Sequence, residues 1–402
     1  MNILFISRNS PFESIGGIER YLTNLINYYK TQPTANLYLM LPTNKDSYIE
    51  KNGNVTFLFE NSIFLSRSRV NIQKEVSQKA PIFSDKVKSA LKTYAIEIIC
   101  AENFHTDLPA AYSLLLNMIA ISYKIPLVLQ LHSFAVTELQ TELINQLKWS
   151  QISCVSKSVA GDCFQKGTDI NYLSTHYLGV NRHEFNESKT TYNLKKQLNL
   201  SSETKIILTA TRIIRGKKNI LQEKGVINLI QAFSKLAPRY PNLKLLIAIG
   251  KPPEDLKDEF NIAYEMLLGY IKLHNIEDST ILKLFKLDEM PKVYNGADIF
   301  ALPSENETFG QVFIEAMSCG LPVIGTKVGG IPEIISDAYN GYLVPPDDSS
   351  ILAQKIAKLL NDPLTRTKFI NAGIKTVEEE FTSEKQLYNF QKMLEKTIAA
   401  EN

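Results

Sequence analysis

Twelve apolar runs of four to seven residues recur along this chain, and helical stretches stand between several of them. In the first half the runs are Asn2–Ser7, Leu37–Leu41, Val55–Phe59, Ile96–Ala101, Leu127–Leu131 and Ile152–Val155, with helices expected over Ile18–Tyr29 and Leu108–Tyr123. In the second half they are Lys205–Thr211, Lys244–Gly250, Ile281–Phe285, Asp298–Leu302, Pro322–Gly325 and Gly341–Val344, with helices over Gly225–Leu236, Gln311–Ser318 and Ile351–Leu360. Uninterrupted apolar strands that alternate with helices predict parallel sheets covered on both faces. The polar stretch Asn186–Thr204 has no strand character and reads as a linker. The expectation is an α/β chain of two doubly wound domains, 1–186 and 187–382, facing across a cleft. The helical segment 383–402 could cap either domain, packing back on the first being one of the two arrangements. Ligands of such sheets sit beyond the carboxyl ends of the strands.

The length, 402 residues, suits two domains. The formal charge of +2 is too balanced to make nucleic acid the default partner. Cys100, Cys154, Cys163 and Cys319 match no zinc or CxxC spacing, so a reduced, cytoplasmic setting is expected. The start, MNILFISRNSPF, lacks a basic leader and does not read as a signal peptide. The longest apolar region, Ala110–Leu131, is broken by Asn117, Lys124, Pro126 and Gln130, so no bilayer span is expected. Between Asn61 and Lys92, Arg67, Arg69, Lys74, Lys79, Lys86, Lys88 and Lys92 outnumber Glu75 and Asp85. That bias suits a solvated helix face, or a peripheral contact through 61–92 with the inner face of an anionic membrane.

The segment Ala301–Pro346 carries the most chemistry. A strand leads into the loop Pro303–Phe309, and a helix then runs from about Gly310 to Gly320. Its N-terminus offers free N–H groups and a positive dipole end to a phosphate. Glu307 stands just before this helix and Glu315 in its second turn, at most roughly 12 Å apart. Carboxylates at that spacing can accept hydrogen bonds from two sets of paired hydroxyls.

This segment resembles the E-x7-E signature of retaining GT-B glycosyltransferases of family 4. The signature stands here as Glu307-Thr-Phe-Gly-Gln-Val-Phe-Ile-Glu315, within PSENETFG, EAMSCGLPV, GGIPE and GYLVPP. The resemblance implies two Rossmann-like domains. It implies a nucleotide-sugar donor bound by Glu307, Phe309, Gly310, Gln311, Val312 and Glu315. It also implies retention of anomeric configuration.

Ser7–Glu19, SRNSPFESIGGIE, resembles the glycine loop after the first strand, where Gly16 and Gly17 would meet the donor diphosphate. Thr209–Gly225 resembles the stretch whose cations bind the two phosphates, here Arg212 and Lys224. The loop between them is longer than usual and adds Arg215, Lys217 and Lys218. His132 ends IPLVLQLH, and a histidine after this strand lies beside the donor sugar in the resembling family. His105 ranks below it. Ser156 and Asn181 match further landmarks and read as structural, although the family has Asp where Asn181 stands. No D-x-D motif follows an apolar strand, and Asp347-Asp348 sits in a late turn. The catalytic set is therefore His132, Glu307, Arg212 and Lys224, with no metal and no cofactor. The substrates would be a nucleotide sugar, UDP-linked in preference to GDP-linked, and a glycan, glycolipid or small hydroxyl acceptor of polysaccharide or glycoconjugate synthesis. A binding module without turnover and a carbohydrate phosphorylase or hydrolase are the alternatives.

Overall fold

The structure, a computed structural model, describes residues 1–12, 16–65, 72–187, 193–213, 219–252 and 256–401. The chain divides into two compact units. One comprises Met1–Glu13, Ile18–Leu178 and Glu384–Asn402, and the other Ser14–Gly17 and Gly179–Ser383.

The first unit is built on β1 (Asn2–Ile6), β2 (Asn36–Pro42), β3 (Tyr48–Asn52), β4 (Val55–Glu60), β5 (Ile98–Glu102), β6 (Leu127–Leu131), β7 (Gln151–Cys154) and β8 (Leu173–Thr175). Among the described residues these form one sheet in the order β3-β4-β2-β1-β5-β6-β7-β8. All neighbours are parallel except β3 and β4. β5 and β6 lie inside the sheet, two or more strands from the β8 edge and further from the β3 edge, and are buried along their whole length. That is what a parallel strand covered on both faces requires. β3 and β8 went unread in the sequence. β3 is exposed at all five positions, and β8 has three half-buried residues, so neither carries an apolar run. The helix Gly17–Lys30 buries Tyr21, Leu22, Leu25, Ile26 and Tyr29 against this sheet at helical spacing.

The second unit is built on β9 (Lys205–Thr211), β10 (Leu243–Gly250), β11 (Thr280–Phe285), β12 (Ile299–Ala301), β13 (Val323–Thr326) and β14 (Gly341–Val344). They form a parallel sheet in the order β11-β10-β9-β12-β13-β14. The direction of ordering reverses beside β9, where β12 lies against it. Loops that leave β9 and β12 therefore diverge from adjacent carboxyl ends, where a crevice opens in such sheets. The helix Val226–Leu236 buries eight of its eleven residues in the apolar core of this unit.

On the helix Ile72–Thr93, Lys79, Lys86 and Lys88 have partners within the first unit. The Lys79 amine donates to the Phe64 carbonyl at 2.6 Å, and Lys86 and Lys88 lie 3.5 and 3.7 Å from Glu60 and Asp85. Arg67 and Arg69 lie outside the described residues. No helix among the described residues is long and apolar enough to cross a membrane. All four cysteines are buried as free thiols.

Candidate active site

In the second unit, β9 ends at Thr211 and β12 at Ala301. The loop 302–310 after β12 is held by backbone packed against backbone. Gly225 and Gly329 both have left-handed φ, +67° and +51°. A Cβ on Gly225 would stand 1.8 Å from the Pro303 carbonyl oxygen, and one on Gly329 only 1.7 Å from that of Glu307. No side chain fits at either place. The Gly330 N–H donates to the same Glu307 carbonyl at 3.0 Å, and the Glu305 N–H donates to the Glu223 carbonyl at 2.9 Å. The loop is thereby tied to the Lys-Gly turn on one side and to Gly329-Gly330 on the other.

This bracing brings Lys224 and Glu307 together. The Lys224 ammonium lies 3.1 Å from Glu307 Oε2, with both side chains largely covered. An ammonium has three N–H donors, so this contact leaves two for another ligand. Arg212 follows β9 directly and is exposed. Arg215, Lys217 and Lys218 lie outside the described residues. Beside the pair, Gln222 Nε2 donates to Asp347 Oδ1 at 3.0 Å and also to Glu305. Burial, then the nearby Asp347 carboxyl, raises the Glu305 pKa above the usual carboxylate range. Asp348 caps the helix Ser349–Asn361 by accepting from the Ser350 and Ile351 N–H groups, which is a structural use.

The helix Gln311–Ser318 starts after Gly310, whose φ is +102°. Phe309 is buried and packs edge-on to Phe381, and Val312 is half-buried. Gln311 occupies the first helical position and is buried, yet neither atom of its side-chain amide has a hydrogen-bond partner among the described residues. The Ser304 hydroxyl, fully buried in the preceding loop, also lacks one. Buried polar atoms without partners cost about 1–3 kcal/mol each, so such a pair at a helix N-terminus marks a place that a polar ligand completes. Gly17 groups with this unit, and a Cβ on it would lie 3.3 Å from Gln311 Oε1. Gly16 stands beside it and is half-buried. Glu315 is buried in the second helical turn, where the Tyr294 hydroxyl donates to its Oε2 at 3.1 Å. Sequence reasoning did not find Tyr294, since no spacing links the helix Met290–Gly296 to Glu315.

In the first unit His132 directly follows β6 and is buried. Its Nε2 lies 3.3 Å from Oε1 of Glu102, the last residue of β5. Its ring centroid is 5.1 Å from that of Tyr21, and its N–H donates to Asn103 Oδ1 at 2.9 Å. Burial, with His105 nearby, pushes the His132 pKa down to about 3, and burial lifts that of Glu102 well above its ordinary value. The distance would suit an ion pair, but burial penalises the charged form of both groups, and neither Glu102 Oε1 nor His132 Nε2 has a hydrogen-bond partner among the described residues. His105 is also buried, its Nε2 3.2 Å from the Ser133 carbonyl, and burial lowers its pKa to about 4. Ser156 caps the helix Lys157–Gln165 through Val159, and Asn181 Oδ1 accepts from the His183 N–H, both structural roles.

Residues 191–376 match the family described as "Glycosyl transferases group 1". N-acetyl-alpha-D-glucosaminyl L-malate synthase of Bacillus anthracis is 29% identical over 308 residues, which cover 74% of this chain and 76% of that protein. Sucrose-phosphate synthase of Thermosynechococcus elongatus superposes with a TM-score of 0.80, covering 99% of each chain at 19% identity. HepE of Anabaena, solved in complex with UDP and glucose, superposes with a TM-score of 0.75 at 19% identity, covering 98% of this chain and 99% of that one. At those identities the superpositions speak for the fold. With the glycosyl transferases group 1 family matched over residues 191–376, within the unit that carries Lys224, Glu307 and Gln311, and the GT-B fold shared along the chain, this protein is a glycosyltransferase.

Proposed function

We propose that this enzyme moves a hexosyl group from a nucleotide sugar, UDP-linked in preference to GDP-linked, to a hydroxyl of a glycan, glycolipid or small-molecule acceptor, with retention and without a bound metal or cofactor. The observation that carries the proposal is the Lys224–Glu307 pair, with Glu307 four residues before a helix whose first residue, buried Gln311, has a side-chain amide without a hydrogen-bond partner among the described residues. Lys224, Arg212, the helix N–H groups and the Gly16–Gly17 backbone would hold the diphosphate. Glu307 would accept hydrogen bonds from sugar hydroxyls and Glu315 from the ribose. His132 contributes a neutral imidazole to the same reaction.

In the step itself the bond from C1 to the phosphate oxygen breaks and a bond from C1 to the acceptor oxygen forms on the same face. The acceptor's proton passes to the departing phosphate oxygen. Negative charge grows on the diphosphate as the bond breaks, and fixed positive groups lower that barrier most. The name of the Bacillus relative, a glucosaminyl-transferring synthase, and the UDP and glucose bound to HepE support the donor class.

Thermal unfolding against UDP-, GDP- and ADP-sugars, in buffer containing EDTA, tests this. A UDP-sugar at a hundred times its Kd should stabilise by about 2.7 kcal/mol. A panel in which no nucleotide sugar moves the midpoint would overturn the reading, and a shift that needs an added divalent ion would overturn its metal-free part. Gln311→Leu should act in opposite directions on stability and binding. Removing the partnerless amide should stabilise the unliganded protein by about 1 kcal/mol, while the affinity for the donor falls. An unchanged donor affinity would take Gln311 out of the site.

A further inference from the structure

We propose that Tyr294 is a positioning residue for donor binding: its hydroxyl fixes the orientation of the Glu315 carboxyl, so that Glu315 meets the ribose hydroxyls already aligned. This rests on the reading of Glu315 as the group that accepts from the ribose.

The two side chains meet between two helices of the second unit. Glu315 lies in the second turn of Gln311–Ser318, and Tyr294 near the end of Met290–Gly296. The Tyr294 hydroxyl donates to Glu315 Oε2 at 3.1 Å. Tyr294 and Glu315 are 0% and 5% exposed, so bulk water does not compete for this bond. The last torsion of a glutamate side chain is broad, and a carboxyl without an anchor samples a wide range of orientations. A bond made before the ligand arrives removes that freedom in advance, and with it part of the cost of binding.

The phenol can serve as an anchor because its ring is held. It lies 6.1 Å from the Phe185 ring and meets Phe300, on β12, edge-on at 5.7 Å. Phe300 in turn meets Phe313 edge-on at 5.5 Å, and Phe313 stands two residues before Glu315 on the same helix. One aromatic cluster therefore fixes both the ring that donates and the helix that carries the acceptor. The Tyr294 helix is tied down beside it, since the Asn295 side-chain amide donates to the Asn186 carbonyl at 3.0 Å. Two carboxyl oxygens offer about four acceptor positions, so a bond from Tyr294 leaves capacity for a pair of neighbouring hydroxyls. Buried among phenylalanines, Tyr294 acts through Glu315 rather than by touching the ligand.

The test compares the affinities of UDP and 2′,3′-dideoxy-UDP for the full-length protein by calorimetric titration, in wild type and in Tyr294→Phe. The phenylalanine removes one oxygen and keeps the ring in its cluster. Wild type should prefer UDP about thirtyfold or more, because a site built to bond hydroxyls rejects the analogue that lacks them. Tyr294→Phe should bind UDP about tenfold more weakly and the dideoxy compound less than about twofold more weakly, so most of the preference is lost. With UDP-glucose, KM should rise about tenfold while kcat changes less than about twofold, since the ribose lies away from the bond that breaks. In a Glu315→Ala background the same substitution should add nothing. Equal weakening of both ligands, the mark of a merely structural disturbance, would overturn the proposal. So would a variant that binds UDP as well as wild type or better. If Tyr294→Phe does not fold, Phe185→Leu, which loosens the ring and leaves the hydroxyl in place, decides the matter: the preference should fall about threefold, and an unchanged preference would overturn the proposal. A wild type that prefers neither ligand would overturn the ribose contact of Glu315, and the part given to Tyr294 with it.

Discussion

Replacing Lys224 with Met should lower kcat by roughly 10²- to 10³-fold while the protein stays folded. The size follows from the task proposed for the ammonium, since removing one preorganised group aimed at developing charge costs about 2.7–4 kcal/mol. The stability side is small. Lys224 and Glu307 keep 27% and 15% of their side-chain surface exposed, and ion pairs still in touch with water contribute about 0–1 kcal/mol. A large drop in turnover with a nearly unchanged unfolding midpoint would therefore report on chemistry. Glu307→Gln should show a different signature, a rise in KM for the donor together with a fall in kcat, because the contact proposed for it is with the sugar rather than the leaving group. A Lys224→Met enzyme with more than half the wild-type turnover would remove the ammonium from the mechanism.

The largest stability effect is expected at Gly329. An alanine there must place its Cβ 1.7 Å from the Glu307 carbonyl oxygen while keeping a φ of +51°. The loop would have to move, and the Gly330 N–H would lose its bond to the same carbonyl. Left-handed strain and overpacking each cost about 1–3 kcal/mol, so Gly329→Ala should cost about 3 kcal/mol or more. Gly269→Ala is the matched control. It lies in the helix Lys257–Leu273 with nothing near its added methyl, and alanine should stabilise it by up to about 1 kcal/mol. Urea unfolding followed by tyrosine fluorescence reads both. If Gly329→Ala unfolds where wild type does, the loop is not braced as described.

How much of this was written in the sequence depends on the kind of signal each part leaves. β6, β9 and β14 fell at the bounds read from their apolar runs, because a parallel strand buried on both faces is apolar throughout. β3 left no such run, since Tyr48–Asn52 lies exposed at a sheet edge. Its trace was the Gly53-Asn54 dipeptide that turns it into β4. The helix start after Gly310, with Glu307 before it and Glu315 within it, could be placed because that segment is local, and so could Lys224 in the Lys-Gly turn before another helix. Partnerships were less legible. Tyr294 reaches Glu315 from twenty-one residues away, and Glu102 reaches His132 from thirty, across strands whose register only the folded sheet fixes. Side chains brought together by register leave no spacing to read.

The first unit has a further property that follows from its connectivity. Residues 384–402 complete it, although the whole of Gly179–Ser383 is translated in between. The second unit is nearly continuous and can collapse on emerging from the ribosome, apart from the short Gly17 segment already made. The first must wait for the helix Ser383–Glu401. Loss of residues 384–402 would thus injure the unit to which Ile18–Leu178 belong.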